Sequence, residues 1–110
     1  MARFDYLELP VGDRAAAKRF YAEAFGWTFT DFGPDYAATM SGDTDVGLDA
    51  AADKVRAMLP VIRGDDLEAT LAAVEAAGGT VCVPIFAFPG GRRFHFRDVD
   101  GHELAAMQPD

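Results

Sequence analysis

The feature that most constrains this chain is a pattern that occurs twice. An alternating strand segment leads to an acidic cap, an amphipathic helix and a glycine, and three more strand segments follow. Asp66 lies 53 residues after Asp13, and Gly79 lies the same distance after Gly26. In the first copy, residues 4–9 alternate in type, with Leu7 and Leu9 on one face and Tyr6 and Glu8 on the other, the mark of a half-buried strand. Pro10 and Gly12 end it, and Asp13 is placed to cap a helix by accepting from its first free N–H groups. Ala17, Phe20, Tyr21, Ala24 and Phe25 then draw one apolar stripe, and Gly26 supplies a left-handed stop. Strand segments are expected at 27–32, 36–41 and 45–49, with a linker at 50–57 that has room for one helical turn. The second copy has a strand at 59–63, then Asp65 or Asp66 as cap, Asp65 with Glu68 suiting a capping box. Its helix stripe is Leu67, Thr70, Leu71, Val74 and Ala77, stopped at Gly78-Gly79. Strands at 80–87, 92–98 and 103–107 follow, the last two joined by an Asp100-Gly101 hairpin turn.

A repeated strand–helix–three-strand order is a duplicated βαβββ module. The expected fold is α+β: two tandem βαβββ modules, about 3–50 and 58–108, in one domain 1–110, forming a curved mixed sheet around a cleft. With 110 residues, half of them apolar, the chain can bury one core without staples.

Charge narrows the partners. Asp and Glu number 18 against 10 Lys and Arg, a formal net charge of −8. That balance repels phosphate backbones and anionic membrane surfaces, so neither nucleic acid nor membrane is an expected partner. Charges and glycines interrupt every apolar run, and the first ten residues do not read as a leader. The single cysteine, Cys82, has no partner for an internal disulfide and reads as a small buried thiol. A soluble cytoplasmic protein is expected.

The segment LELPVGDRAAAKRFYAEAFGW resembles the opening of the vicinal oxygen chelate superfamily, the glyoxalase, bleomycin-resistance and dioxygenase group. GDDLEATLAAVEAAGG and FRDVDGHELAAMQ resemble its second helix and closing hairpin, with Val99 where that hairpin often has proline. The resemblance implies a small-molecule cleft and, commonly, a homodimer. Metal-dependent members place four ligands, usually His and Glu, on strands. Carried over, these positions fall on Tyr6, on Asp49 or Gly47, on Leu59 and on Ala105. Leu59 and Ala105 have nothing to donate, so no metal and no other cofactor is expected.

The same alternation sets candidate ligand contacts. Tyr6 and Glu8, Arg63, then Arg93, His95 and Arg97, then Glu103 and Met107 share the faces away from the helices, and Asp49 can join them. Glu8 and His95 are the candidate acid–base pair for proton transfer beside a carbonyl. Each has a plainer reading: Glu8 with Arg63 as a structural ion pair, His95 on an edge strand facing water, Met107 as core filling. His102 reads as a solvated turn residue. Gly90-Gly91 reads as a loop, with Arg92 and Arg93 able to meet an anion. Among the early aromatics, Trp27 and Phe32 are the candidates to stack on a planar ligand, the others packing. The function expected is a small-molecule binder of the sequestering or resistance kind. The alternative is an enzyme of the same group, either a metal-free catalyst or a lyase, transferase or dioxygenase with an atypical metal site.

Overall fold

A computed structural model describes residues 2–51 and 57–110, so residues 52–56 of the expected linker lie outside the described residues. The fold is α+β and divides into two compact units, Tyr6–Leu59 and Met1–Asp5 with Pro60–Asp110.

In the first unit, strand β1 (Arg3–Pro10) leads to helix α1 (Arg14–Phe25) and then to β2 (Thr30–Phe32), β3 (Tyr36–Ala38) and β4 (Asp45–Asp49). The strands lie in the order β2-β3-β4-β1. The β1–β4 pair is parallel and the β2–β3 and β3–β4 pairs antiparallel, since a parallel pair needs the crossover that begins with α1. Asp13 caps α1 by accepting from Ala16 N at 3.1 Å, and Gly26 ends it at φ 73°. Two expected strands are shorter than their apolar patterns. Trp27 turns out of the strand to stack on Tyr21 at 5.3 Å, so β2 begins only at Thr30. Beyond Ala38, Thr39 Oγ1 and Ser41 Oγ donate to Asp45 at 2.8 and 2.7 Å, and Ser41 N donates there too. These bonds, with the Gly42 N–H, outweigh the desolvation that raises the Asp45 carboxyl and hold it below the ordinary range.

Helix α1 corrects the expected stripe. Arg14, Ala17, Lys18 and Tyr21 are half-buried, whereas Ala24 is exposed and Phe20 and Phe25 are 59% and 62% exposed. Arg14 donates to the carbonyls of Gly33 at 2.6 Å and Tyr36 at 3.2 Å, and Lys18 to Asp31 at 2.8 Å. Those bonds hold the 14/17/18/21 line toward the strands and leave half the aromatic stripe in water.

In the second unit, β5 (Leu59–Arg63), α2 (Leu67–Ala76), β6 (Thr80–Phe88), β7 (Gly91–Arg97) and β8 (Glu103–Pro109) repeat the first order. The strand order is β5-β8-β7-β6, with β5–β8 parallel and the other pairs antiparallel. Asp66, not Asp65, caps α2, accepting from Ala69 N at 3.0 Å, and Leu67 N donates to Gln108 Oε1 at 2.9 Å. No capping box forms with Asp65, because Glu68 turns to Arg92 at 2.7 Å. Here the expected helix stripe packs: Leu67 is buried and Leu71 and Val74 half-buried against Phe94, Phe96 and Ala106. Ala77 lies past the last turn and is exposed. The left-handed residue is Gly78 at φ 99°, one before the glycine that the repeat aligns with Gly26. Cys82 is half-buried, not buried, beside a register shift in β6. Gly90 at φ 112° turns the β6–β7 hairpin, and Gly91 is buried in β7 because a Cβ there would collide with the Gln108 carbonyl.

Candidate functional site

On the first unit's sheet, the cross-strand partners Glu8, Gly47 and Ala38 form one row, and Pro10, Asp49 and Tyr36 the next. Side chains on one row share a face, so Tyr6, Glu8, Gly47, Asp49 and Tyr36 lie together, away from α1. Glu8 is 4% exposed and Asp49 6%. Tyr36 reaches from β3 across β4 and donates to Glu8 Oε2 at 2.9 Å. Its hydroxyl lies 2.5 Å from that of Tyr6. Because the Tyr36 proton is given to Glu8, the Tyr6 hydroxyl donates to Tyr36. Burial first, then the Glu8 carboxylate and the Tyr6 phenol, push the Tyr36 hydroxyl far above the ordinary phenol range, so it stays protonated. The two phenols meet directly over Gly47, where any Cβ would overlap both hydroxyls. Asp49 accepts from Ala51 N at 2.9 Å.

On the second unit's sheet, Val61, Ala105, His95 and Val83 form a row, and Arg63, Met107, Arg93 and Phe86 the next. β7 lies between β6 and β8, so His95 is not on an edge, and it is 7% exposed. His95 Nδ1 lies 2.9 Å from Glu103 Oε2, which favours a proton on Nδ1 and a bare Nε2. Nε2 is buried with no hydrogen-bond partner among the described residues. The Arg93 guanidinium lies over the rings of Phe86 and Phe88 at 5.3 and 5.4 Å. Met107 is half-buried.

Glu8 and His95 thus belong to different units, each with its own partner, Tyr36 and Glu103. Arg63 makes its ion pair with Asp5, at 3.8 Å. Arg92 is engaged by Glu68, whose ion pair raises the guanidinium and lowers the carboxyl. His102 is exposed, and its backbone N–H closes the turn on Asp98 at 3.0 Å. Trp27 lines an open concavity of about 480 Å³ with Phe29, Thr30, Thr39, Met40 and Val46; Phe32 is 48% exposed and takes no part in it. The residue that sequence reasoning missed is Tyr36, read there as packing. The one signal for it was a glycine, Gly47, in the middle of a strand.

The positions that the resemblance assigns to metal ligands do not fit a metal. Leu59 and Ala105 are buried at 1% and 0% exposure and carry no donor atom. Gly47 has no side chain, and the Tyr6 phenol is engaged with Tyr36. Of those positions only Asp49 offers a carboxylate, where a bound zinc or iron takes several converging donors.

A repeated βαβββ unit with polar groups on its helix-free strand faces defines a class of duplicated α+β domain. The chain belongs to the Glyoxalase/Bleomycin resistance protein/Dioxygenase superfamily, whose model matches residues 3–106. Among solved structures it is similar to a Mn(II)-bound glyoxalase from Novosphingobium aromaticivorans, with 25% identity and a TM-score of 0.73 over 98% of this chain and 40% of that one. It is also similar to methylmalonyl-CoA epimerase from Mycobacterium tuberculosis (14% identity, TM-score 0.77, 97% and 87% covered). A superfamily member from Vibrio splendidus 12B01 gives 16% identity and a TM-score of 0.72 over 98% and 99%. The last two likenesses show the fold alone. No curated protein matches the sequence.

Proposed function

We propose that this chain is a small-molecule-binding member of the superfamily that works without the metal quartet and releases its ligand unchanged. The observation that carries this reading is the buried Glu8 carboxylate, reached by a phenol row over Gly47. The row's protons run inward, from Tyr6 to Tyr36 to Glu8, so its oxygens face a ligand as acceptors rather than donors. It suits a ligand with a hydroxyl or N–H donor on a flat apolar body. Asp49 on the same face is a further contact proposed, and Arg63, Arg93, His95, Glu103 and Met107 are the ligand contacts proposed on the other unit's own sheet. A cytoplasmic homodimer with no nucleic-acid or membrane partner completes the reading. The net charge of −8 supports the lack of nucleic-acid and membrane partners, and the exposed Phe20, Phe25 and Trp27 on α1 and its exit, the last two in ring contact, support the homodimer. No described helix is long and apolar enough to cross a membrane.

A second reading is metal-free acid–base catalysis, with Glu8 and His95 as the candidate groups, each taken within its own unit. It is favoured by the buried Nε2, without a hydrogen-bond partner among the described residues, of an imidazole oriented by Glu103. One experiment separates the two. A panel of phenols and their methyl ethers is tested by saturation-transfer NMR, and each compound is then recovered and analysed. The first reading expects phenols to bind, ethers to bind at least about tenfold more weakly, and every compound to return unchanged. Equal binding of both series sinks the phenol row as the ligand contact. Conversion that disappears in Glu8→Gln transfers the case to catalysis.

A further inference from the structure

The row over Gly47 has the features of a site closed by design to a cation. Gly47 is not among the glycines with positive φ, so its backbone does not call for glycine. The requirement is spatial: the hydroxyls of Tyr6 from β1 and Tyr36 from β3 occupy the position of its missing Cβ. Tyr36 is the link that holds both neighbours, accepting from Tyr6 and donating to Glu8. The strands involved, β1 and β4, are those on which the resemblance puts the first two metal ligands. A zinc-class cation there takes deprotonated or lone-pair donors at roughly 2.0–2.2 Å, and this space instead holds two protonated oxygens.

We propose that Tyr36 is the residue that excludes a divalent cation from this site: its hydroxyl, bonded to Tyr6 and Glu8 over Gly47, fills the space and engages the carboxylate that a cation would take. This rests on the metal-free reading above and names the residue responsible for it. Leu59 and Ala105 remove donors, whereas Tyr36 removes the space and competes for Glu8, so restoring donors alone does not restore a metal site.

The test is a Mn(II) titration of the full chain, read by the electron paramagnetic resonance signal of the free ion. Wild type leaves the signal of one equivalent of Mn(II) undiminished. The variant Tyr6→His, which adds an imidazole on the same face and in the same unit as Glu8 and Asp49, is then compared with the same variant carrying Tyr36→Phe. The second is expected to bind Mn(II) at least about tenfold more tightly, the scale on which one supporting group changes metal affinity. Should those variants not fold, the same comparison is made with Tyr6→Cys in place of Tyr6→His, Zn(II) being expected to bind at least about tenfold more tightly once Tyr36→Phe is added. Stoichiometric Mn(II) uptake by wild type overturns the metal-free reading itself. No uptake by wild type, with equal affinity whether or not Tyr36 is present, overturns only the role of Tyr36.

Discussion

The two units share one strand order but seal their sheets by different chemistry. In the second, α2 places Leu67 on Phe94, Phe96 and Ala106, an apolar core with Phe94 fully buried. In the first, α1 has no buried residue, and Arg14 and Lys18 tie it to Gly33, Tyr36 and Asp31. The helix-free faces differ as well: one carries a phenol–carboxylate row, the other a histidine–carboxylate pair. Equal topology therefore does not mean equal adhesion. A repeat preserves the backbone path, and each copy then chooses which contacts hold it.

The largest expected effect tests that asymmetry in stability. Phe94→Ala should cost about 3–5 kcal/mol in urea denaturation, whereas Phe20→Ala on α1 should stay within about 0.5 kcal/mol in protein dilute enough to be monomeric. Similar losses would break the comparison, and a Phe20 effect that grows with protein concentration would place a second copy on α1. Next in size is the glycine floor. Gly47→Ala should cost about 1–3 kcal/mol by overpacking the phenols, and less when Tyr36→Phe is already present. In the other unit, Gly64→Ala meets only Thr70 Oγ1 at an ordinary 3.5 Å, and its effect should stay within about 0.5 kcal/mol.

The smallest effect is a pH limb. The Tyr36 phenol is raised in the folded chain, so above about pH 10 the unfolded chain releases a proton that the folded one keeps. Its contribution to stability is complete below that pH and is lost as pH rises above it, by up to about 1.4 kcal/mol per unit. Chemical denaturation at several alkaline pH values should show this decline in wild type and a shallower one in Tyr36→Phe. Parallel curves would mean the phenol titrates alike in both states.

Much of the fold was legible because its signals are local. Asp13 and Gly26 bound α1, and Asp66 caps α2, through bonds within a turn of each residue. The closing hairpin is set by Asp98, which accepts from Asp100 N and His102 N at 2.9 and 3.0 Å before Gly101 turns at φ 88°. Alternation likewise separated Phe94 and Phe96 from His95. It could not tell that His95 is buried, or that Phe20 and Phe25 stay in water, because burial depends on what the neighbouring elements bring.

The sequence by itself determined the doubled βαβββ order, the helix caps at Asp13, Gly26 and Asp66, and the residue types at the positions that the resemblance assigns to metal ligands. Each follows from alternation, capping or simple identity, which need only a few neighbouring residues. Tertiary structure alone decided that Tyr36, Tyr6 and Glu8 meet over Gly47. Those groups come from strands β3 and β1 on either side of β4, and Tyr36 lies 28 residues from Glu8. Their meeting depends on strand order and register, which long-range pairing fixes and no local pattern encodes.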